Sequence, residues 1–239
     1  MEGLNSKLIV LRLNTKEGAT EILQTKRSDW KVDGSEDLAV IPLDLSGTRC
    51  RGTVIPDSQF YTKEKCLQHN VGPGDEIFMI GRFITHDGRQ RNTPMARFGH
   101  ISMMPLEPIR TRDGEQFAFL VECRSLSGFS GSPVFLWMLA GTWRPYHPEP
   151  LRRPQGPWLL GVNCGHIVLP EKSRNVSSGK KLYVAEHSEI EVVIPSWKLR
   201  SLLDGEQLKD QRLLVEQEIS EGRTRGFLIR DPSFRVVVQ

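Results

Sequence analysis

The sequence predicts an all-β fold built as a barrel of short strands, with a helix near the C-terminal end. Three observations carry this. Apolar and β-branched runs of about four to eight residues recur along the chain, glycine, proline and aspartate separate them, and helix start and stop signals come together only around Pro195 and Gly205. With 239 residues, 38% hydrophobic and 26% charged, the chain is long enough to bury a substantial core.

The elements follow in order. Lys7 to Leu13 reads as a strand, Lys16-Glu17-Gly18 as a turn and Ala19 to Thr25 as the returning arm of a hairpin. After Trp30 and the polar Asp33-Gly34-Ser35-Glu36 comes Asp37-Leu38-Ala39-Val40-Ile41-Pro42-Leu43, an acidic residue directly before an apolar strand. Val71-Gly72-Pro73-Gly74-Asp75-Glu76 is a strong turn, followed by strands over Ile77 to Gly81 and Met95 to Met103. Pro105 to Gly114 reads as a connection, Gln116 to Cys123 as a strand, and Leu139 to Pro157 as a long surface loop without apolar periodicity. Trp158 to Gly165 is a strand, Lys172 to Lys181 a polar loop, Leu182 to Ala185 and Glu191 to Ile194 the closing strands, and Pro195 to Leu203 a helix. Glu206 to Glu218 is a charged helical stretch.

Composition excludes several function classes. The net charge of +3 is spread along the chain, with no basic stripe of the kind nucleic acid requires. No apolar run approaches the roughly 20 residues that cross a bilayer, and Met1 to Asn14 lacks a basic region followed by an apolar one. The expectation is a chain without membrane or nucleic-acid partners, cytoplasmic as written. Cys50, Cys66, Cys123 and Cys164 are widely spaced with no C-x-x-C pair, which predicts reduced thiols, no metal site and no cofactor.

Chemistry concentrates in Gly128-Phe129-Ser130-Gly131-Ser132-Pro133, which runs into the apolar Val134-Phe135-Leu136-Trp137. Glycines flanking a serine allow a tight turn and close approach of a substrate carbonyl to bare amides; the same composition also makes an ordinary turn. The spacing is not the G-x-S-x-G elbow, because Ser132 stands where its last glycine belongs. Asp37 precedes Ser130 by 93 positions, about the separation of aspartate and serine in chymotrypsin-type enzymes.

These two segments resemble the trypsin-like (chymotrypsin-fold) serine peptidase family: the serine run is similar to its G-x-S-G-G/S-P segment, and Asp37-Leu38-Ala39-Val40 to its D-[IL]-A-[LV] segment. The resemblance implies a double β-barrel with the first barrel incomplete, over 1–108, a second barrel with the serine loop over 109–204, and an appendage over 205–239. The Ile77 to Met103 strands would be the last hairpin of the first barrel and Pro105 to Gly114 the link between barrels. The resemblance also implies roles. Ser130 would be the nucleophile, Asp37 the carboxylate that orients a histidine, and the amides of Gly128 and Ser130 the oxyanion hole. Asn163, Cys164 and Gly165 would line the cleft for a polypeptide substrate or peptide ligand, paired by strand addition.

One departure is plain. In the family the catalytic histidine precedes the aspartate by about 45 positions, whereas the six histidines here, His69, His86, His100, His147, His166 and His187, all follow Asp37. The reading is therefore a peptidase inactive as the chain stands, by a late start of the frame or by degradation. The alternatives are a catalytically dead relative that binds peptides, and an unrelated β-rich protein with a chance serine loop.

Overall fold

The structure, a computed structural model, describes residues 8–43, 45, 48–83, 86, 88–111, 114–124, 128–141, 144, 155–168, 172–175, 181–184 and 187–221. Strands β1 (Leu8–Asn14) and β2 (Thr20–Lys26) form a hairpin, β3 (Lys31–Val32) and β4 (Ala39–Val40) a short ladder, and α1 (Lys63–Gln68) is a short α-helix before the barrel. Then come β5 (Glu76–Arg82), β6 (Pro94–Met103), the small pair β7 (Ile109–Thr111) and β8 (Gly114–Gln116), β9 (Phe119–Cys123), β10 (Pro133–Met138) and β11 (Gln155–Val168). The chain continues through the paired β12 (Lys172–Asn175) and β13 (Lys181–Val184), then β14 (His187–Pro195), α2 (Ser196–Leu203) and α3 (Glu206–Ser220).

Six of these strands close a barrel in the order β10-β11-β14-β9-β6-β5, antiparallel throughout. Alternation along each strand sends one set of side chains inward. Ile77 and Met79 of β5, Ile101 of β6, Phe119, Val121 and Cys123 of β9, Val134, Leu136 and Met138 of β10, Leu160 of β11 and Val193 of β14 fill the interior. Tyr61 and Phe129 close over the same cluster.

A second core lies outside the barrel, where Leu38, Val40 and Phe60 pack with Leu159, Val162, Ile194, Leu199, Leu203 and Leu208. This cluster fastens the segment around β4 to β11, β14 and the C-terminal helices. Leu11, Trp30 and Ile41, flanked by Ile9, Leu23 and Leu43, make a third and smaller core.

The caps follow ordinary chemistry. The Thr62 hydroxyl accepts the Lys65 amide at 3.2 Å and starts α1. Pro195 precedes α2 and Gly205 follows it, as their positions predict. Arg144 is buried, donating to both oxygens of Asp75 at 2.5 Å and to the carbonyls of His69 and Asn70.

All-β architecture, a closed barrel and C-terminal helices agree with the reading of the sequence. The assignment of strands to barrels does not. The strands over Ile77 to Gly81 and Met95 to Met103, expected to end a first barrel, lie in β5 and β6 of the same closed barrel as the serine strand β10; Phe78 pairs with Phe135. Pro105 to Gly114 accordingly connects two strands of one barrel, and a boundary at 108 cuts through it. The physical reason is that a hairpin's pattern fixes its own register but not the strand that closes on its far edge. Among the described residues, the part before α1 holds only two-stranded sheets. Lys172 to Lys181, expected as loop, includes β12 and the first residue of β13, and Leu182 belongs to that hairpin and not to the barrel.

Candidate functional site

Ser130 sits on the turn that leads into β10. The Ser132 amide donates to the Phe129 carbonyl at 3.0 Å, so Ser130 and Gly131 are the two central residues of the turn. Gly131 has φ 81° and Gly128 has φ 106°, conformations that glycine alone adopts at no steric cost. Phe129 turns inward and is 1% exposed, which leaves Ser130 on the outside with an exposed side chain. Its hydroxyl donates to the Cys164 carbonyl at 3.4 Å, and among the described residues no basic group takes that proton. The amides of Gly128 and Ser130 make no hydrogen bond within the same set.

Asn163 of β11 braces this turn. Its carbonyl accepts the Gly131 amide at 2.6 Å and its amide donates to the Ser132 carbonyl at 2.9 Å. Its side-chain Nδ2 donates to the Phe129 carbonyl at 3.2 Å and to the Glu191 carboxylate at 2.7 Å, while Oδ1 accepts the Gly165 amide at 3.1 Å. Asn163 and Glu191 are both buried. The segment expected to line a substrate cleft is thus occupied by the protein itself: both main-chain groups of Asn163, the carbonyl of Cys164 and the amide of Gly165 are engaged.

Two further contacts hold the loop. A Cβ added at Gly81 of β5 would lie 2.3 Å from the Ser132 hydroxyl and 2.5 Å from the Phe129 ring, so the end of β5 is bare where the serine turn rests on it. From β6, the Arg97 guanidinium lies 5.2 Å from the centre of the Phe129 ring and donates to the Arg124 carbonyl.

Asp37 is exposed on the loop before β4. Its neighbours fix the loop. Asp33 accepts the Ser35 and Glu36 amides and the Ser35 hydroxyl at 2.8 to 2.9 Å, and Glu36 pairs with Lys198 of α2 at 2.7 Å. Leu38 is buried in the core that contains Val162 and against which Cys164 packs, and the Cys164 carbonyl accepts the Ser130 hydrogen bond. The side chain next to Asp37 thus shares a core with residues of β11, the strand to which the Ser130 hydroxyl donates.

The Asp33 carboxyl is held below its ordinary range: burial opposes the charge, but hydrogen bonds from Ser35 and Glu36 and the Lys198 charge outweigh it. Burial pushes the thiols of Cys66 up to about 12 and Cys123 up to about 11, so both stay protonated and unreactive near neutrality. All four cysteines are free thiols. Cys164 is half-buried, its Sγ 3.4 Å from the Val192 carbonyl. No group of acidic, histidine or cysteine side chains among the described residues could hold a metal ion, and no described helix is long and apolar enough to cross a membrane.

Sequence reasoning passed over Glu191, Gly81 and Arg97. Glu191 had a signal, because it is a carboxylate set between Ile190 and the apolar run Val192-Val193-Ile194.

No family model matches the chain, and no curated protein does. Among solved structures, the chain is similar to the MamO protease domain from Magnetospirillum magneticum, apo form, at 15% identity over 81% of this chain and 74% of that one, with a TM-score of 0.40.

Proposed function

We propose that the chain is a trypsin-like serine peptidase module in which Ser130 is the nucleophile position and the general base is missing, so that it does not turn over peptides as it stands. The observation that carries this is the hydrogen bond of the exposed Ser130 hydroxyl to the Cys164 carbonyl: the serine is presented on a tight glycine turn, yet its proton points at a backbone acceptor that cannot remove it. A serine without an adjacent base is a weak nucleophile. In this reading the Gly128 and Ser130 amides receive a developing oxyanion, and Asp37 supplies the carboxylate that would orient a histidine. A polypeptide paired along Cys164 and Gly165 would first have to exchange the bonds to Ser130 and Asn163 for its own.

The test compares the chain with Ser130→Ala on a mixed peptide library and with a fluorophosphonate probe. Both forms should show no turnover above background, and labelling at position 130 should be weak in the chain and absent in Ser130→Ala, since losing one triad member costs around a million-fold in subtilisin. Efficient Ser130-dependent cleavage would overturn the reading, because it requires a base beside Ser130. A second reading, a peptide-binding module without turnover, is favoured by the intact turn at Ser130. It predicts saturable binding of extended peptides that survives Ser130→Ala, and absence of such binding would sink it.

A further inference from the structure

We propose that the outer edge of β2 is a strand-pairing surface for a second copy of this chain, giving an antiparallel dimer through β2 with β2. Hairpin β1–β2 is a two-stranded sheet, and a ribbon of two strands is marginal until a further strand or layer covers it. The two edges of the ribbon differ. On the β1 side two of the outward carbonyls are taken: Asn14 accepts the Arg51 amide at 2.6 Å and Arg12 accepts Asn92 Nδ2 at 2.7 Å.

On the β2 side the Lys26 amide points away from β1 and donates to the Asp29 carboxylate at 2.9 Å. Alternation along the strand then turns the amides and carbonyls of Thr20, Ile22 and Gln24 outward as well, and among the described residues these have no partner. An unpaired edge of this length is a template for another strand. Side chains do not obstruct it, since Ile22 is 55% exposed and Gln24 is exposed.

The sequence of β2 suits its own copy. Antiparallel pairing about Leu23 sets Ile22 against the partner's Gln24 and completes four main-chain hydrogen bonds. It sets Glu21 against the partner's Thr25, Thr20 against the partner's Lys26, and Leu23 against the partner's Leu23, so no like charges meet and the leucines join on the face that covers the third core. The Lys26 amide stays with Asp29 in each register; centring on Gln24 would leave Thr20 beyond the end of the partner's strand, and centring on Ile22 would press Glu21 against a leucine. The product is a four-stranded sheet, β1-β2-β2-β1, from two marginal ribbons.

The experiment is sedimentation velocity of the full chain over about a hundredfold range of concentration, together with amide hydrogen exchange. The expected result is a concentration-dependent dimer in which the amides of Thr20, Ile22 and Gln24 exchange about tenfold or more slowly than in the dilute chain. The double variant Ile22→Lys with Gln24→Lys, which sets lysine against lysine on exposed positions, should be monomeric with an unchanged far-ultraviolet spectrum. A chain that stays monomeric overturns the proposal. So does a dimer in which those three amides exchange as in the monomer, or one that a folded double variant retains. If the double variant does not fold, the exchange of the unsubstituted chain decides alone.

Discussion

The side-chain amide of Asn163 lies 2.7 Å from the carboxylate of Glu191, with both residues sealed from water. The same nitrogen reaches the carbonyl of the residue before Ser130, so a buried carboxylate beside the barrel wall fixes the posture of an exposed hydroxyl. Asn163→Ala would remove the bond to Glu191 and leave the Phe129 carbonyl and the Gly165 amide without their side-chain partner. A loss of about 3 kcal/mol or more in unfolding free energy is expected, measured by urea denaturation. Glu191→Gln, which keeps an oxygen for Asn163, should cost less than half as much; equal losses would show that the charge and not the hydrogen bond matters.

Gly81→Ala tests the contact between β5 and the serine turn. The added methyl meets Ser132 and Phe129 well inside contact distance, and overpacking of this kind costs about 1–3 kcal/mol. The expected signature is local: chemical shifts of Gly128 to Pro133 move while those of β9 and β14 hold. Shifts spread evenly through the barrel would argue that the turn is not seated on Gly81.

The Asp37 loop should respond to acid. A carboxyl with a lowered folded pKa stabilises the fold above its unfolded value of about 4 and loses that contribution as pH falls through the folded value. Asp33 is such a group. The thermal midpoint of the unsubstituted chain should therefore fall more steeply below about pH 4 than that of Asp33→Asn, which keeps an acceptor for the amides but has no charge to lose. Parallel curves would remove Asp33 from the account.

Thiol reactivity should divide by burial. At pH 7.5 the native chain should react first at Cys164, with Cys66 and Cys123 modified only on unfolding, because burial raises both thiols far above that pH. Mass spectrometry after timed alkylation reads the order directly. Early modification of Cys123 would place an opening in the barrel wall that the fold does not show.

What the sequence made legible was local. Gly128 to Pro133 announces its turn because positive φ at two positions leaves few residue choices, and Pro195 and Gly205 bracket α2 because each restricts its own backbone. The barrel seam joining Phe78 to Phe135 is a pairing between segments far apart in sequence, and no run of residues encodes it alone. Asn163 shows the same limit at the site. Its strand is readable from Trp158 to Gly165, but that its polar groups are consumed by the serine turn and by Glu191 depends on three segments meeting.

The order of the barrel also carries a kinetic meaning. β14 joins β9 and β11, and β10 must find β5 to shut the ring, so most of the pairing is non-local and the loop-closure entropy is met before the contacts reward it. Folding on the millisecond-to-second scale is expected for such a topology. The braces on Ser130 come from β11 and β14, so the hydroxyl acquires its fixed direction only once β14 has joined β11 and β11 has joined β10.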